Sequence, residues 1–295
     1  MASFKEMKKN RMANLESLSK QVEKLAEKPS YEDERIWKLE RDKTGNGYAV
    51  IRFLPAKEGE DVPWQRIWTH GFKGPGGWYI ENSLTTIGKD DPVSKANTAL
   101  WNSGIDSDKD LARARKRKLS YYSNILVLED SANKENEGKV FLYRYGKKIF
   151  EKITGVMNPE FKDETPLNPF DFWEGANFKL KVRKVDGFWN YDKSEFEGTS
   201  PVLDGDDAKL EEVYGKLHSL TAFLTEDNFK TYDELKSKLH RTLTGSGVQG
   251  TVEKFAPTPK AESFTPDTTA PASSEVGETD EEDTLSYFAK LADDE

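Results

Sequence analysis

The chain has 295 residues, 35% of them hydrophobic and 33% charged, against about 25% charged in an average soluble domain. That composition leaves room for one domain of roughly 200–250 residues with tails, and not for two large cores. There is no cysteine, which excludes disulfides, thiolate metal sites and a cysteine nucleophile. No apolar run reaches the roughly 20 residues of a membrane span, and the start MASFKEMKKNRM lacks a signal-peptide core. A cytoplasmic setting without a membrane is expected.

Charge is unevenly placed. From Phe255 onward there are 11 acids against Lys260 and Lys290, a sum of −9 that equals the formal charge of the whole chain. Residues 1–254 therefore sum to zero, and the acidity belongs to the tail. Within the neutral part, Arg113, Arg115, Lys116, Arg117 and Lys118 are clustered, as are Lys179, Lys181, Arg183 and Lys184. Such runs are usually solvated surface, so neither cluster identifies a ligand by itself.

The spacing predicts a helix over residues 1–28. Ser3 and Glu6 fit a capping box, Phe4, Met7, Leu15, Leu18, Val22 and Leu25 form a stripe, and Pro29 ends it. Lys5, Lys8, Lys9 and Arg11 against Glu6 give its start a net +3.

From about Ile36 to Tyr191 a β-rich domain is expected. Tyr48–Leu54 follows the turn Gly45-Asn46-Gly47, and Tyr121–Glu129 with Val140–Tyr145 flank a polar loop as a hairpin. In Phe178–Val185, apolar Phe178, Leu180 and Val182 alternate with Lys179, Lys181 and Arg183, one face core and the other cationic. Asp186-Gly187 then turns the chain into Phe188, Trp189 and Tyr191.

Residues 75–112 lose strand character and read as an inserted small subdomain. Helices return over 208–245, where Leu210, Val213, Tyr214, Leu217 and Leu220 keep helical spacing, Thr231 and Glu234 cap a second helix, and Gly245 ends it. The acidic tail, 255–295, is expected to be disordered. Its Leu285, Tyr287, Phe288 and Leu291 among acids read as a motif that folds on a partner.

Catalytic constellations are nearly absent. His70, His218 and His240 are far apart in sequence, and no phosphate-binding loop or nucleophile elbow occurs. Asp106, Asp108 and Asp110 imitate a calcium loop, but Leu111 and Arg117 stand where its glycine and glutamate belong. The pair Asp206-Asp207 lacks a third metal ligand at a persuasive spacing.

What recurs is rings beside bases: Arg117-Lys118 before Tyr121-Tyr122, Tyr143-Arg144-Tyr145 before Lys147-Lys148, and Lys179–Lys184 before Phe188-Trp189-Tyr191. Single-stranded nucleic acid asks for this combination, because cations track phosphates while rings stack on unpaired bases at about 1–3 kcal/mol per base.

The strings NGYAVIRFLP (46–55), HGFK with GGWYIE (70–81), NILVLED with ENEGKVFLYRYGKKI (124–149), WEGANFKLKV (173–182) and GFWNYD (187–192) resemble the replicative single-stranded DNA-binding proteins of T-even-type bacteriophages. The likeness is colinear from about Trp37 to Asp192 and continues weakly to about Gly245. It implies a mainly β fold with added helices: an OB-fold core (29–254) with the insertion at about 75–112. It further implies cooperative self-association through the N-terminal segment (1–28) and recruitment of replication and recombination proteins by the tail (255–295). The implied setting is phage replication, recombination and repair in the cytoplasm of an infected bacterium, without enzymatic activity.

By the same resemblance the DNA-facing residues are Arg52, Trp101, Lys116, Arg117, Lys118, Tyr121, Tyr122, Tyr143, Arg144, Phe188 and Tyr191. Ala112 stands where the family has a further tyrosine, Trp189 adds a ring, and Met12 breaks the family's basic N-terminal motif. The family's zinc ligands, one His and three Cys, fall here on His70, Ser83, Val93 and Ala96, so no cofactor is expected. The insertion must then hold by packing or hydrogen bonds, or be loosely ordered. An RNA-binding OB-fold regulator and a metal-dependent nuclease remain alternatives.

Overall fold

A computed structural model describes residues 33–245. The helix expected over 1–28 and the tail expected over 255–295 lie outside the described residues. The chain divides into two compact units, residues 1–36 and 37–295, and the lobes of the fold belong to the second.

Nine strands and five α-helices are found among the described residues. In chain order they are β1 (Ile36–Trp37), β2 (Gly47–Phe53), β3 (Gln65–Gly74), β4 (Gly77–Asn82), α1 (Pro92–Asn102), α2 (Asp106–Ala114) and β5 (Lys118–Asp130). There follow β6 (Val140–Tyr145), α3 (Lys147–Met157), β7 (Ala176–Val185), β8 (Phe188–Asn190), β9 (Glu195–Thr199), α4 (Asp207–Gly215) and α5 (Tyr232–Thr244). The fold is mainly β with added helices.

Strands pair antiparallel along the path β6-β5-β2-β7-β8, with β3 also on β5, β4 on β3 and β9 on β7. Ala49 to Phe53 of β2 are buried without alternation, because both faces of this central strand are covered. On one face Ala49, Ile51 and Phe53 join Ile125, Tyr143, Tyr145, Phe178 and Leu180 in the main core. Beyond the other, Leu54 and Leu126 pack with Phe172, Val202 and the α4 residues Leu210 and Val213.

Local signals place the turns and helix ends. The type of turn at Asp186-Gly187 needs positive φ at both positions, and these residues adopt 51° and 88°. The capping box of Thr231 and Glu234 is formed, and Gly245 closes α5 in the left-handed region. The helical spacing expected to run through Leu220 stops earlier, since α4 ends at Gly215; Leu217 and Leu220 are nevertheless buried.

The stretch 75–112 contains a strand, β4, which the expectation of lost strand character missed. Its partner β3 serves two lobes: Gln65–Thr69 pairs with β5, and Thr69–Gly74 pairs with β4. The small lobe also draws on the far end of the body. Leu235 and Leu239 of α5 pack with Phe72, Tyr79, Leu84 and Val93. Helix α5 ends against the β3–β4 turn, where the Gly76 N–H donates to the Thr242 carbonyl at 2.9 Å. A Cβ on Gly76 would stand 1.9 Å from the Arg241 oxygen, so any larger residue would displace the helix.

Candidate nucleic-acid interface

Strand geometry sorts the expected ligand-facing residues into two groups. Successive side chains on a strand point to opposite faces, so adjacent tyrosines cannot both look outward. On β5, Tyr121 is buried and stacks on Phe150 with ring centroids 3.9 Å apart. Tyr122 lies on the other face, opposite Arg144 of β6 and Gln65 of β3, and tilts against Phe223 at 4.4 Å. Lys118 shares the face of Tyr122 at the four-residue step along β5. Tyr143 and Tyr145 enclose Arg144 in sequence, yet both are buried and stack on each other.

Four of the eleven expected DNA-facing residues are buried in the protein: Arg52, Tyr121, Tyr143 and Tyr191. Arg52 is the plainest case, at 0% exposure. Its Nη2 donates to the Asp171 and Ser200 carbonyls at 2.8 and 2.9 Å, and Nη1 to Asn177 at 3.3 Å. Burial pulls its pKa down to about 10, with Asp171 opposing that shift. It ties the loop before β7, and the residue after β9, to β2.

The face of β7 is also not a bare cationic surface. Lys179, Lys181 and Arg183 do point away from the core, but they pair with Glu197, Glu195 and Asp192 at 2.7, 2.7 and 2.6 Å. The row of bases is matched by a row of acids from β9 and the turn before it.

What the structure brings together is a strip at the start of β5. Lys116 is exposed, and Arg117 and Lys118 are half-buried. The Arg117 guanidinium lies 4.1 Å above the Trp68 ring while its Nη1 donates to Thr85 Oγ1 at 2.7 Å, which fixes cation and ring as one unit. Trp101 is 50% exposed on α1, with Arg113 5.4 Å above it. Phe188 is exposed on β8, but the strand register sets β8 at the opposite end of the sheet from Tyr122. Near it, Trp189 lies between Arg41 at 4.1 Å and Lys184 at 5.6 Å.

Sequence reasoning missed Trp68 and Phe223. Each lies far from its partner in the chain, so only strand pairing and the return of residues 221–224 could reveal them.

The small lobe positions this strip. The His70 Nδ1–H and the Asn97 Nδ2–H both donate to the Arg115 carbonyl at 3.0 Å, holding the basic run where α2 meets β5. His70 Nε2 is 3.3 Å from Asp91 Oδ1, an ion pair when the ring is protonated.

Asp91 itself gathers the lobe. Its Oδ1 accepts the Val93 and Ser94 N–H groups at 2.9 and 3.0 Å, capping α1, while Oδ2 accepts the Ser83 hydroxyl and the Leu84 N–H at 3.1 and 3.2 Å. Burial pushes its pKa up, but the hydrogen bonds from His70, Ser94 and Leu84 outweigh it and bring the value down to about 2. Among the described residues no group of three or more His, Cys, Asp and Glu is arranged to hold a metal. Asp106, Asp108 and Asp110 lie on helix α2, and Asp206 caps α4.

Residues 45–243 match the family described as gp32 DNA binding protein like. The single-stranded DNA-binding protein of Enterobacteria phage T2 is 41% identical over 238 residues, 79% of this chain and 79% of that protein. That of Enterobacteria phage T4 is 42% identical over 223 residues, 75% of this chain and 74% of that protein. A match spanning most of the described body, with its strands and the small lobe included, establishes that this chain belongs to the gp32-like family of DNA-binding proteins.

Proposed function

We propose that the chain binds single-stranded DNA without sequence preference, as a non-enzymatic protein of phage replication, recombination and repair in the infected cell. The observation that carries this reading is the strip at the start of β5. Arg144 stands opposite Tyr122 across β5 and β6, Lys118 shares that face of β5, and at the start of the same strand Arg117 lies over Trp68 beside Lys116. Cations on a rigid strand can track phosphates while neighbouring rings offer faces for unpaired bases, which a duplex does not expose. Trp101 extends the strip from α1, and the body is read as an OB-fold.

Binding would act by mass action, since a ligand of single strands lowers the free energy of opened DNA. The N-terminal segment would then associate with neighbouring molecules, and the acidic tail would recruit replication and recombination proteins. These two roles rest on the sequence and the family resemblance.

Zinc does not fit the residues at the family's ligand positions. Ser83 gives its hydroxyl to Asp91, Val93 is 1% exposed within the small-lobe core, and Ala96 packs beside it. Of the four positions only His70 offers a zinc donor. The Asp91 carboxylate instead bonds directly to Ser83 and the Val93 N–H and lies 3.3 Å from His70 Nε2, so we read it as the group that draws these segments together.

A fluorescence titration with single-stranded DNA, duplex DNA and RNA at two salt concentrations tests the reading. Tight, salt-sensitive binding to single-stranded DNA is expected, with weak binding to duplex; preference for RNA would overturn it. Incubating labelled single strand with magnesium checks the nuclease alternative, which requires the strand to shorten.

A further inference from the structure

The connection Pro55–Trp64 and the segment Met157–Trp173 enclose a groove of about 380 Å³. Trp64, Met157, Phe170 and Phe172 line it. At its rim Val62 is 42% and Trp173 57% exposed. The loop between Met157 and Asn168 leaves and returns at the groove, its ends tied by the Leu167 N–H on the Val156 carbonyl at 2.8 Å. That loop carries Phe161, 66% exposed.

The surroundings are acidic. Residues 55–64 and 157–174 hold eight acids against Lys57 and Lys162, a net −6, in a body whose residues 1–254 sum to zero. Lys57 spends its ammonium on the Leu217 carbonyl at 3.1 Å. Such a surface repels phosphate and the acidic C-terminal segment alike. An apolar groove with an acidic rim fits a basic amphipathic segment.

The chain itself supplies one. Residues 1–28 combine the stripe Phe4, Met7, Leu15, Leu18, Val22 and Leu25 with a start of net +3.

We propose that the groove between Pro55 and Trp173 receives the N-terminal segment of a second copy of this chain, bound next to it on the same strand. This inference rests on the self-association assigned above to residues 1–28, and it names the surface that receives them. The stripe would fill the groove between Trp64 and Trp173, and Lys5, Lys8 and Lys9 would meet Asp61, Asp163 and Glu164.

The test uses the full chain. Trp173→Ala and the double variant Asp163→Lys/Glu164→Lys alter exposed residues only. Each variant is compared on an oligonucleotide long enough for one molecule and on a long strand. Short-oligonucleotide binding should stay within about two-fold, while long-strand affinity should fall ~10-fold or more, as expected when a contact between neighbours is lost. The compensating change Lys8→Glu/Lys9→Glu in the Asp163→Lys/Glu164→Lys chain should restore part of the long-strand affinity.

Unchanged long-strand binding in both groove variants would overturn the proposal. So would equal losses on both substrates, which would mean that the segment docks on its own body. Lys8→Glu/Lys9→Glu alone separates the two levels of argument. If it leaves long-strand affinity intact, the self-association role itself fails; if it lowers that affinity while the groove variants do not, only the groove assignment fails.

Discussion

In the sheet lobe, the Phe53 ring meets Tyr143, Tyr145, Phe170, Phe178 and Phe196 with centroids 5.6 to 6.5 Å apart. In the small lobe, Phe72 and Tyr79 stack at 5.0 Å over a much smaller cluster, and the buried Asp91 carboxylate collects hydrogen bonds from residues 83 to 94. The first lobe is stabilised by area, which is spread over many contacts and is insensitive to any one charge. The second is too small for that and concentrates its cohesion in one group. A lobe of the latter kind fails by single substitutions and by pH, whereas a lobe of the former kind fails by cavities.

The largest expected effect follows from that concentration. Asp91→Asn keeps the size of the side chain but puts an amide N–H₂ where either Ser83 and Leu84 or Val93 and Ser94 now donate. Removing one member of a buried charged network costs about 3–5 kcal/mol, and here the loss should be confined to the small lobe. Limited proteolysis should open residues 75–115 of the variant while the β2–β7 sheet stays protected. Added zinc should not reverse the change. Uniform loss of protection would show that the lobes are one cooperative unit.

Acid gives a smaller effect on the same group. The folded pKa of Asp91 is about 2, below the roughly 3.9 of an unfolded aspartate. Its contribution is therefore fully present above about pH 4 and is lost as pH falls toward 2. The size of that contribution is about 3 kcal/mol. Denaturant titrations between pH 2 and 5 should show this slope in the wild type and a shallower one in Asp91→Asn.

Two neighbouring tyrosines carry the comparison to the binding surface. Tyr121 belongs to the area-stabilised core and Tyr122 to the outer face of the same strand. Tyr122→Ala should cost about 1–3 kcal/mol of single-strand affinity, the worth of one stacked base, with little change in melting temperature. Tyr121→Ala should lower stability first, because it removes a ring stacked between Phe150 and Tyr145. If the two variants lose affinity equally while both stay folded, the division of faces is wrong.

That division marks how far the residues alone could lead. The hairpin ending in Val140–Tyr145, the Asp186-Gly187 turn and the capping box at Thr231 were legible because their signals span only a few residues. The alternation of β7 was legible too, but the acids that neutralise its outer row come from β9 and the preceding turn, and no local pattern announces a cross-strand pairing. The burial of Arg52 was not legible, because an arginine bonded to carbonyls looks, in sequence, like any other strand cation. Helix α3 was passed over as a cationic run, although Ile149 and Ile153 keep the four-residue step of a buried face. The small lobe was the hardest part: once its cysteines are absent, the group at its centre is an aspartate with no motif around it.

The smallest expected effect concerns Arg117, which belongs to both lobes. Its chain position is held by the small lobe through the Arg115 carbonyl, its guanidinium by Trp68 of β3 and by Thr85 in the turn after β4. A cation fixed in this way loses little conformational freedom when a phosphate arrives, so it should make one persistent phosphate contact. Each such contact contributes about 0.7 to the dependence of log affinity on log salt for single strands. Arg117→Ala should lower that slope by about this amount, and Arg117→Lys should restore most of it without restoring the stack on Trp68. Lys116→Ala, at an exposed position, should lower it by less, because a mobile ammonium contacts phosphate only part of the time. An unchanged slope in Arg117→Ala would mean that the guanidinium is spent on Trp68 and Thr85, and that the strip binds through its other cations.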